Sequence, residues 1–249
     1  DRLRSRGLGD VYKRQLQYGT SAILNAPAFS DLDGTMYAPE DGGMGYYSLA
    51  KSVSYAPRRL TVLLNDETKD VADGNYKHCF VVNKLDHYIY TVMVKGQLVR
   101  IKPNTRTCEL LLKKVGTSTR PDACDSYLAF SPVKGQENML YVAMAEGNQI
   151  WRVDVGNLEG KDKNTYPGEG YAGKAILEGQ VAGAGWEDGL LRNAKFDNPH
   201  QICFTEDGKL YIADCGNNCI RVIDTKLPLD RAMVTTPTVS YTHLTLPTT

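Results

Sequence analysis

The sequence predicts an all-β chain folded as a β-propeller, and two observations carry that prediction. The first is composition: Tyr supplies 15 of the aromatic residues against 5 Phe and 2 Trp, and the 249 residues include 23 Gly and 11 Pro. That mixture suits short, half-buried strands joined by tight turns. The second is an internal repeat. A short apolar run, a polar turn, an aliphatic-Tyr pair, another turn and another apolar run recur around Met36-Tyr37, Ile89-Tyr90, Leu140-Tyr141 and Leu210-Tyr211.

Taken in order, the first two strands of each repeat form a hairpin. Its clearest turns are the Asp-Gly pairs of DGTMY (residues 33–37) and DGKLY (residues 207–211), where Gly supplies the positive φ that a tight hairpin needs. The third strand is placed by register: Tyr141 to Asp154 and Tyr211 to Asp224 are the same distance, and the two segments end NQIWRVD and NCIRVID. A fourth strand is expected over residues 60–64, 108–115, 174–181 and 232–236. The third repeat is longer than the others because of residues 157–173, whose Gly, Lys, Asp and Asn read as a solvated insertion on the face opposite the site loops. A four-stranded meander cannot bury both faces alone, so the repeats must stack around an axis. The prediction is about four four-stranded blades, part of a six-bladed propeller. A long β-sandwich is the competing architecture.

Charge removes two classes of partner. Twenty-nine basic and twenty-nine acidic residues leave no net charge, so there is no basic field for nucleic acid or anionic lipid. No apolar run approaches the ~18 residues of a membrane span. The two ends stand apart from the repeat: residues 1–15 are basic and without apolar period, residues 239–249 are rich in Thr, and both resemble translated adapter sequence. The propeller is therefore assigned to residues 16–238, with tails at 1–15 and 239–249 and with blades expected beyond both ends.

Residues 183–224 carry a more specific signal. Gly185, Asp188, Gly189, Ala194, Phe196, Pro199, Ile202, Gly208, Tyr211, Ala213, Asp214, Asn217, Ile220 and Arg221 fall in the order of an NHL repeat, with Gln201 where that family usually has Gly. The other three repeats resemble it only in strand pattern and in the Tyr hairpin. The mixture is similar to surface NHL proteins of Bacteroidota, often joined to immunoglobulin-like (IPT/TIG) domains. The resemblance implies an extracytoplasmic protein, periplasmic or on the outer surface.

In such a meander the links from fourth to first strand and from second to third emerge on one face, which collects residues 66–77, 115–125, 186–200 and 215–217. Ligands of propellers sit over the axis on a face of this kind. His200 enters an innermost strand there and is the best single candidate for chemistry, since imidazole titrates near neutrality and ligates metals. A turn-capping role is the plainer reading of the same residue. Trp186 and Tyr76 offer flat aromatic surfaces for sugars, although Trp186 also fits a role in packing between blades. Gln201 and Asn217 complete the candidate binding set.

The expected function is a non-catalytic scaffold presenting this face to a glycan or protein partner, with no cofactor and no metal. The alternative is a propeller lyase or hydrolase at the channel mouth using His200 and Asp214. GEGYAG (residues 168–173) satisfies a dinucleotide-binding spacing but precedes a strand pattern rather than a helix, so it cradles no phosphate. Asp31 and Asp33 begin like a calcium loop but lack its Gly and Glu. Most cysteines are expected to be small buried hydrophobes, and Cys215 and Cys219 lie close enough in sequence for a local disulfide.

Overall fold

The computed structural model describes residues 28–30, 32, 35–40, 43–48, 58–60, 63, 68, 79–93, 96–116, 126–174 and 182–238. Its strands form four antiparallel sheets, each a meander in sequence order. Blade 1 contains β1 (Ala28–Phe29), β2 (Thr35–Glu40), β3 (Gly43–Ser48) and β4 (Arg58–Leu60), and blade 2 contains β5 (Val81–Val82), β6 (Ile89–Val92), β7 (Leu98–Lys102) and β8 (Thr107–Leu112). Blade 3 contains β9 (Ser126–Phe130), β10 (Met139–Met144), β11 (Gln149–Asp154) and β12 (Glu169–Ala172). In blade 4 a two-residue strand, β13 (Gly189–Leu190), lies outside the meander β14 (Pro199–Phe204), β15 (Lys209–Asp214), β16 (Cys219–Asp224) and β17 (Met233–Thr235), pairing with β17. The first strands neighbour one another from blade to blade (β1 with β5, β5 with β9, β9 with β14), so they line the axis of a propeller.

The aliphatic-Tyr pairs sit on all four second strands, and they explain how the blades adhere. Three apolar clusters form the core, one at each seam between successive blades. In every seam the Tyr of one blade points toward the next: Tyr37 into the first, Tyr90 into the second, Tyr141 into the third, the last two fully buried. The residue before each Tyr points the opposite way, because side chains alternate along a strand. Tyr90 meets Phe130 edge-on at 5.1 Å and Tyr141 meets Phe204 at 5.2 Å, each Phe coming from the first strand of the following blade. Such pairs add about 0.5–1.5 kcal/mol beyond the area they bury.

Two strands differ from the sequence reading. In blade 1 the fourth strand is Arg58–Leu60, earlier than 60–64, and Leu63 instead forms a parallel bridge with Thr107 at the start of β8. In blade 3 the fourth strand is Glu169–Ala172, inside the supposed insertion, while residues 175–181 lie outside the described residues. The glycines of GEGYAG decide this. Gly168 (φ 87°) and Gly173 (φ 105°) bracket the strand, and a Cβ on Gly168 would sit 2.8 Å from Val153 Cγ2. The motif is thus a strand with a glycine at each end, which only a positive φ and a close approach require.

The rest of the insertion is not simply solvated. Its Lys163 and Pro167 carbonyls accept the N–H groups of Lys113 (2.8 Å) and Gly116 (2.9 Å), and Leu158 and Tyr166 pack on the second seam. It ties blade 3 back to the outer edge of blade 2, rather than hanging from the opposite face. Cys79 and Cys108 are buried thiols, and burial pushes them up to about 11 and about 12. Cys203 and Cys215 are exposed instead, and Cys215 and Cys219 are free thiols.

Candidate functional site

The loop face is built from two kinds of link. The β10–β11 and β15–β16 links are copies of each other: a single 3-10 turn, Ala145–Gly147 or Cys215–Asn217, closed by a left-handed asparagine, Asn148 (φ 52°) or Asn218 (φ 51°). Asn tolerates this conformation better than other residues with a side chain, which accounts for its presence at both positions. In blade 4 the link lies flat on the long segment leading into the first strand. Gly216 N–H bonds Asp197 O at 2.8 Å, and a Cβ on Gly216 would fall 2.3 Å from Asp197 Cγ.

Beneath that link lies a buried polar network centred on Asp214 and Arg221, both side chains with no exposure. Arg221 uses all five of its N–H donors. Nε and Nη2 donate to Asp188 Oδ1 (3.1 and 2.7 Å), Nη2 also to Glu187 O (2.8 Å), and Nη1 to Lys195 O and Asp214 Oδ2 (both 2.8 Å). Asp214 Oδ2 further accepts Asn217 Nδ2 (2.9 Å), while Oδ1 accepts the N–H of Asp197 (2.8 Å). The guanidinium stacks over Phe196 at 5.0 Å. An ion pair withdrawn from water this completely is tolerated because every donor is satisfied.

Asp214, the carboxylate named for the enzyme alternative, thus lies inside the blade. Its carboxylate is enclosed and has three donors, so it pins the lead-in segment 185–198 to the blade instead of meeting a substrate. Asn217 belongs to the same pin: its amide nitrogen donates to Asp214 Oδ2 and to Gly185 O (2.9 Å).

Trp186 is different. It is 64% exposed, yet its indole is fixed: Nε1–H donates to Thr236 Oγ1 (3.2 Å), and that hydroxyl donates to Asp188 Oδ1 (3.0 Å). Asp188 Oδ2 accepts Thr236 N–H (2.8 Å), and Oδ1 accepts Arg221. Partial burial opposes ionisation of Asp188, but Thr236 N–H and Arg221 outweigh it and hold the carboxyl below its usual range. The exposed ring is therefore oriented from inside the blade.

His200 stands at the third seam, half-buried and stacked on Tyr127 of β9, with ring centroids 5.2 Å apart and planes 24° from parallel. Gln201 beside it is exposed, in a β-bulge between Pro199 and Ile202. His200 lies on β14, whereas Trp186 is tied through Thr236 to the end of β17. Their anchors, β14 and β17, are three strand spacings apart, roughly 14 Å. Tyr76 lies outside the described residues. Among the described residues no group of three or more His, Cys, Asp or Glu is placed to hold a metal.

Sequence reasoning did not find Asn148, Tyr127 or the partnership of Asp188 with Arg221. Asn148 Oδ1 accepts Asn198 N–H (2.8 Å) and its Nδ2 donates to Ala182 O (2.8 Å), so blade 3 clasps the lead-in of blade 4 at both ends. The signal was the shared Asn two residues before the Ile of the third strand, Asn148 before Ile150 and Asn218 before Ile220.

Comparison with known proteins agrees with this geometry. Residues 196–223 match the NHL repeat family. No curated protein matches the chain. Among solved structures the chain is similar to an auxiliary nutrient binding protein of Bacteroides thetaiotaomicron (TM-score 0.63, 17% identity) and to one of Bacteroides ovatus (0.61, 17%). In both cases 88% of this chain aligns with 48% of the other, so it spans about half the length of those proteins. It is also similar to virginiamycin B lyase of Staphylococcus aureus (TM-score 0.52, 13% identity, 88% of this chain and 56% of that one). The chain thus carries an NHL repeat at residues 196–223 within a β-propeller fold similar to that of these Bacteroides proteins.

Proposed function

We propose that this propeller is a non-catalytic binding scaffold whose loop face takes a glycan, and that it works outside the cytoplasm, as its resemblance to Bacteroidota surface propellers suggests. The observation that carries the reading is the exposed indole of Trp186, held through Thr236 and Asp188 by the buried Arg221. A flat aromatic face suits the apolar CH surface of a sugar, and a side chain fixed before binding loses little freedom when the ligand arrives. The roughly 14 Å between the Trp186 edge and the His200 seam favours an extended oligosaccharide over a single sugar. A protein partner is the other occupant this face suits, and adjoining immunoglobulin-like domains are compatible with both.

The nutrient-binding name of the Bacteroides neighbours supports a binding role, and the lyase neighbour shows that the same fold also carries enzymes. Asp214 is sealed in the blade, so a lyase or hydrolase here would have to pair His200 with another carboxylate. The test is a glycan array probed with the chain and with Trp186→Ala. Retention of an oligosaccharide series by the wild type and its loss in the variant is the expected result; no retained glycan by either overturns the glycan reading.

A further inference from the structure

Blades 2 and 3 carry a polar unit that the other two blades lack. The seam tyrosine pairs across the strands with an arginine, Tyr90 with Arg100 and Tyr141 with Arg152, where Tyr37 faces Tyr46 and Tyr211 faces Val222. Each arginine grips a carboxylate of the fourth strand through Nε and Nη2: Glu109 at 3.2 and 2.7 Å, Glu169 at 3.1 and 2.9 Å. In blade 2 a second carboxylate completes the unit. Asp86 Oδ2 accepts the Tyr90 hydroxyl at 2.6 Å and stands 3.9 Å from Arg100 Nη1.

Among the described residues no second carboxylate meets the blade 3 unit. The hydroxyls of Tyr141 and Tyr171, whose rings meet edge-on at 4.9 Å, are both buried without a hydrogen-bond partner, and the Arg152 guanidinium lies over the Tyr171 ring at 5.3 Å. Burial holds both phenols above their usual range although nearby Arg152 opposes the rise, so each keeps the proton it would donate. Donors enclosed in this way call for an acceptor. Tyr171 and Arg152 line a groove of about 460 Å³, whose other wall is Leu191 and Arg192 of the lead-in segment and Leu229 of the β16–β17 link. Arg192 is exposed and has no acidic partner among the described residues, and its Nη1 would lie 3.8 Å from a Cβ on Gly170 of β12.

We infer that this groove is a second binding site, which takes the carboxylate of a small organic acid between Arg152 and Arg192, with the Tyr171 hydroxyl donating to it as the Tyr90 hydroxyl donates to Asp86. The chain itself shows which acceptor suits the unit, because the blade 2 copy is closed by a carboxylate. A doubly charged phosphate suits it less. Glu169 already neutralises Arg152, and Asp230 lines the same groove outside ion-pair distance of either arginine, so the two acids disfavour a second negative charge on the ligand. Leu191 and Leu229 offer apolar walls for the body of the acid. The inference does not depend on the glycan reading at Trp186.

The test titrates benzoate into the isotope-labelled chain and follows amide resonances, with benzamide as the uncharged counterpart of the same shape and inorganic phosphate as the rival anion. Benzoate should shift the amides of Gly170, Tyr171 and Leu191 in a saturable way, and benzamide and phosphate should act on them about tenfold more weakly or less. Arg192→Ala, a change at an exposed side chain, should weaken benzoate about tenfold, and so should Tyr171→Phe, which keeps the ring and removes one hydrogen bond to a charged acceptor. No saturable shift at these amides, an equal response to benzamide, or full affinity in Arg192→Ala overturns the inference. So does a preference for phosphate, since the groove would then serve a different anion.

Discussion

Trp151 occupies in blade 3 the register position that Arg221 occupies in blade 4: the first pairs with Val142 and the second with Ile212, one residue after the seam Tyr in each case. The partner changes with it. At the position of Asp214, blade 3 has Met144, whose sulfur accepts the Ser126 hydroxyl at 3.3 Å, and Trp151 donates to Gln149 Oε1 at 3.2 Å. One blade fills this space with a satisfied ion pair, the other with an apolar pair and a neutral hydrogen bond.

Asp214→Met alone should destabilise the chain by about 3–5 kcal/mol, because it removes the fully buried carboxylate that accepts Arg221, Asn217 and the Asp197 N–H and leaves those buried donors unpaired. The double variant Asp214→Met with Arg221→Trp, which copies blade 3 into blade 4, should recover much of that loss. Urea denaturation of the two variants measures both. A double variant no more stable than the single one would show that the lead-in segment, rather than the charge, sets the requirement.

Asn148→Ala removes a side chain that holds Ala182 O and Asn198 N–H and should cost about 1–3 kcal/mol. The effect is local: exchange of the Asn198 amide should accelerate well before that of amides in β10 and β11. Uniform acceleration across the chain would mean that Asn148 supports the blade as a whole.

Acid should loosen the loop face through Asp188. Its folded carboxyl is held below the ordinary range, so its stabilising contribution is present above the unfolded pKa, ~3.9, and is lost as pH falls through the folded value. Denaturation midpoints followed from about pH 6 down to about pH 3 should fall more steeply for the wild type than for Asp188→Asn, which already lacks the charge. Parallel slopes would remove Asp188 from the account of acid sensitivity.

Much of the fold was legible because blade packing repeats a local rule. The aliphatic-Tyr pair marks every second strand, and strand alternation alone sends its two residues into opposite seams. The fourth strand of blade 3 was misplaced because Tyr171 and Ala172 lie in a Gly-rich stretch that reads as loop, and its register depends on the close approach of Gly168 to Val153, a contact between residues distant in sequence. The site was less legible. Asp214, Asn217 and Arg221 stood out as markers of the NHL pattern, but which carboxylate is sealed and which side chain is presented depends on the path of residues 185–198 over the blade. Trp186 stands in the sequence as a candidate, but the chain of bonds that fixes it runs through Thr236, fifty residues later.

The two tryptophans permit a direct test of the claim that the loop face binds a glycan at Trp186. Trp151 is 8% exposed and Trp186 is 64% exposed, so acrylamide should quench essentially only Trp186. Titrating an array-selected oligosaccharide while following that quenching should show the accessible fraction falling in a saturable way, with no such change in Trp186→Phe. Oligosaccharide bound at saturation with Trp186 still fully quenchable would contradict the account and move the site elsewhere on the propeller.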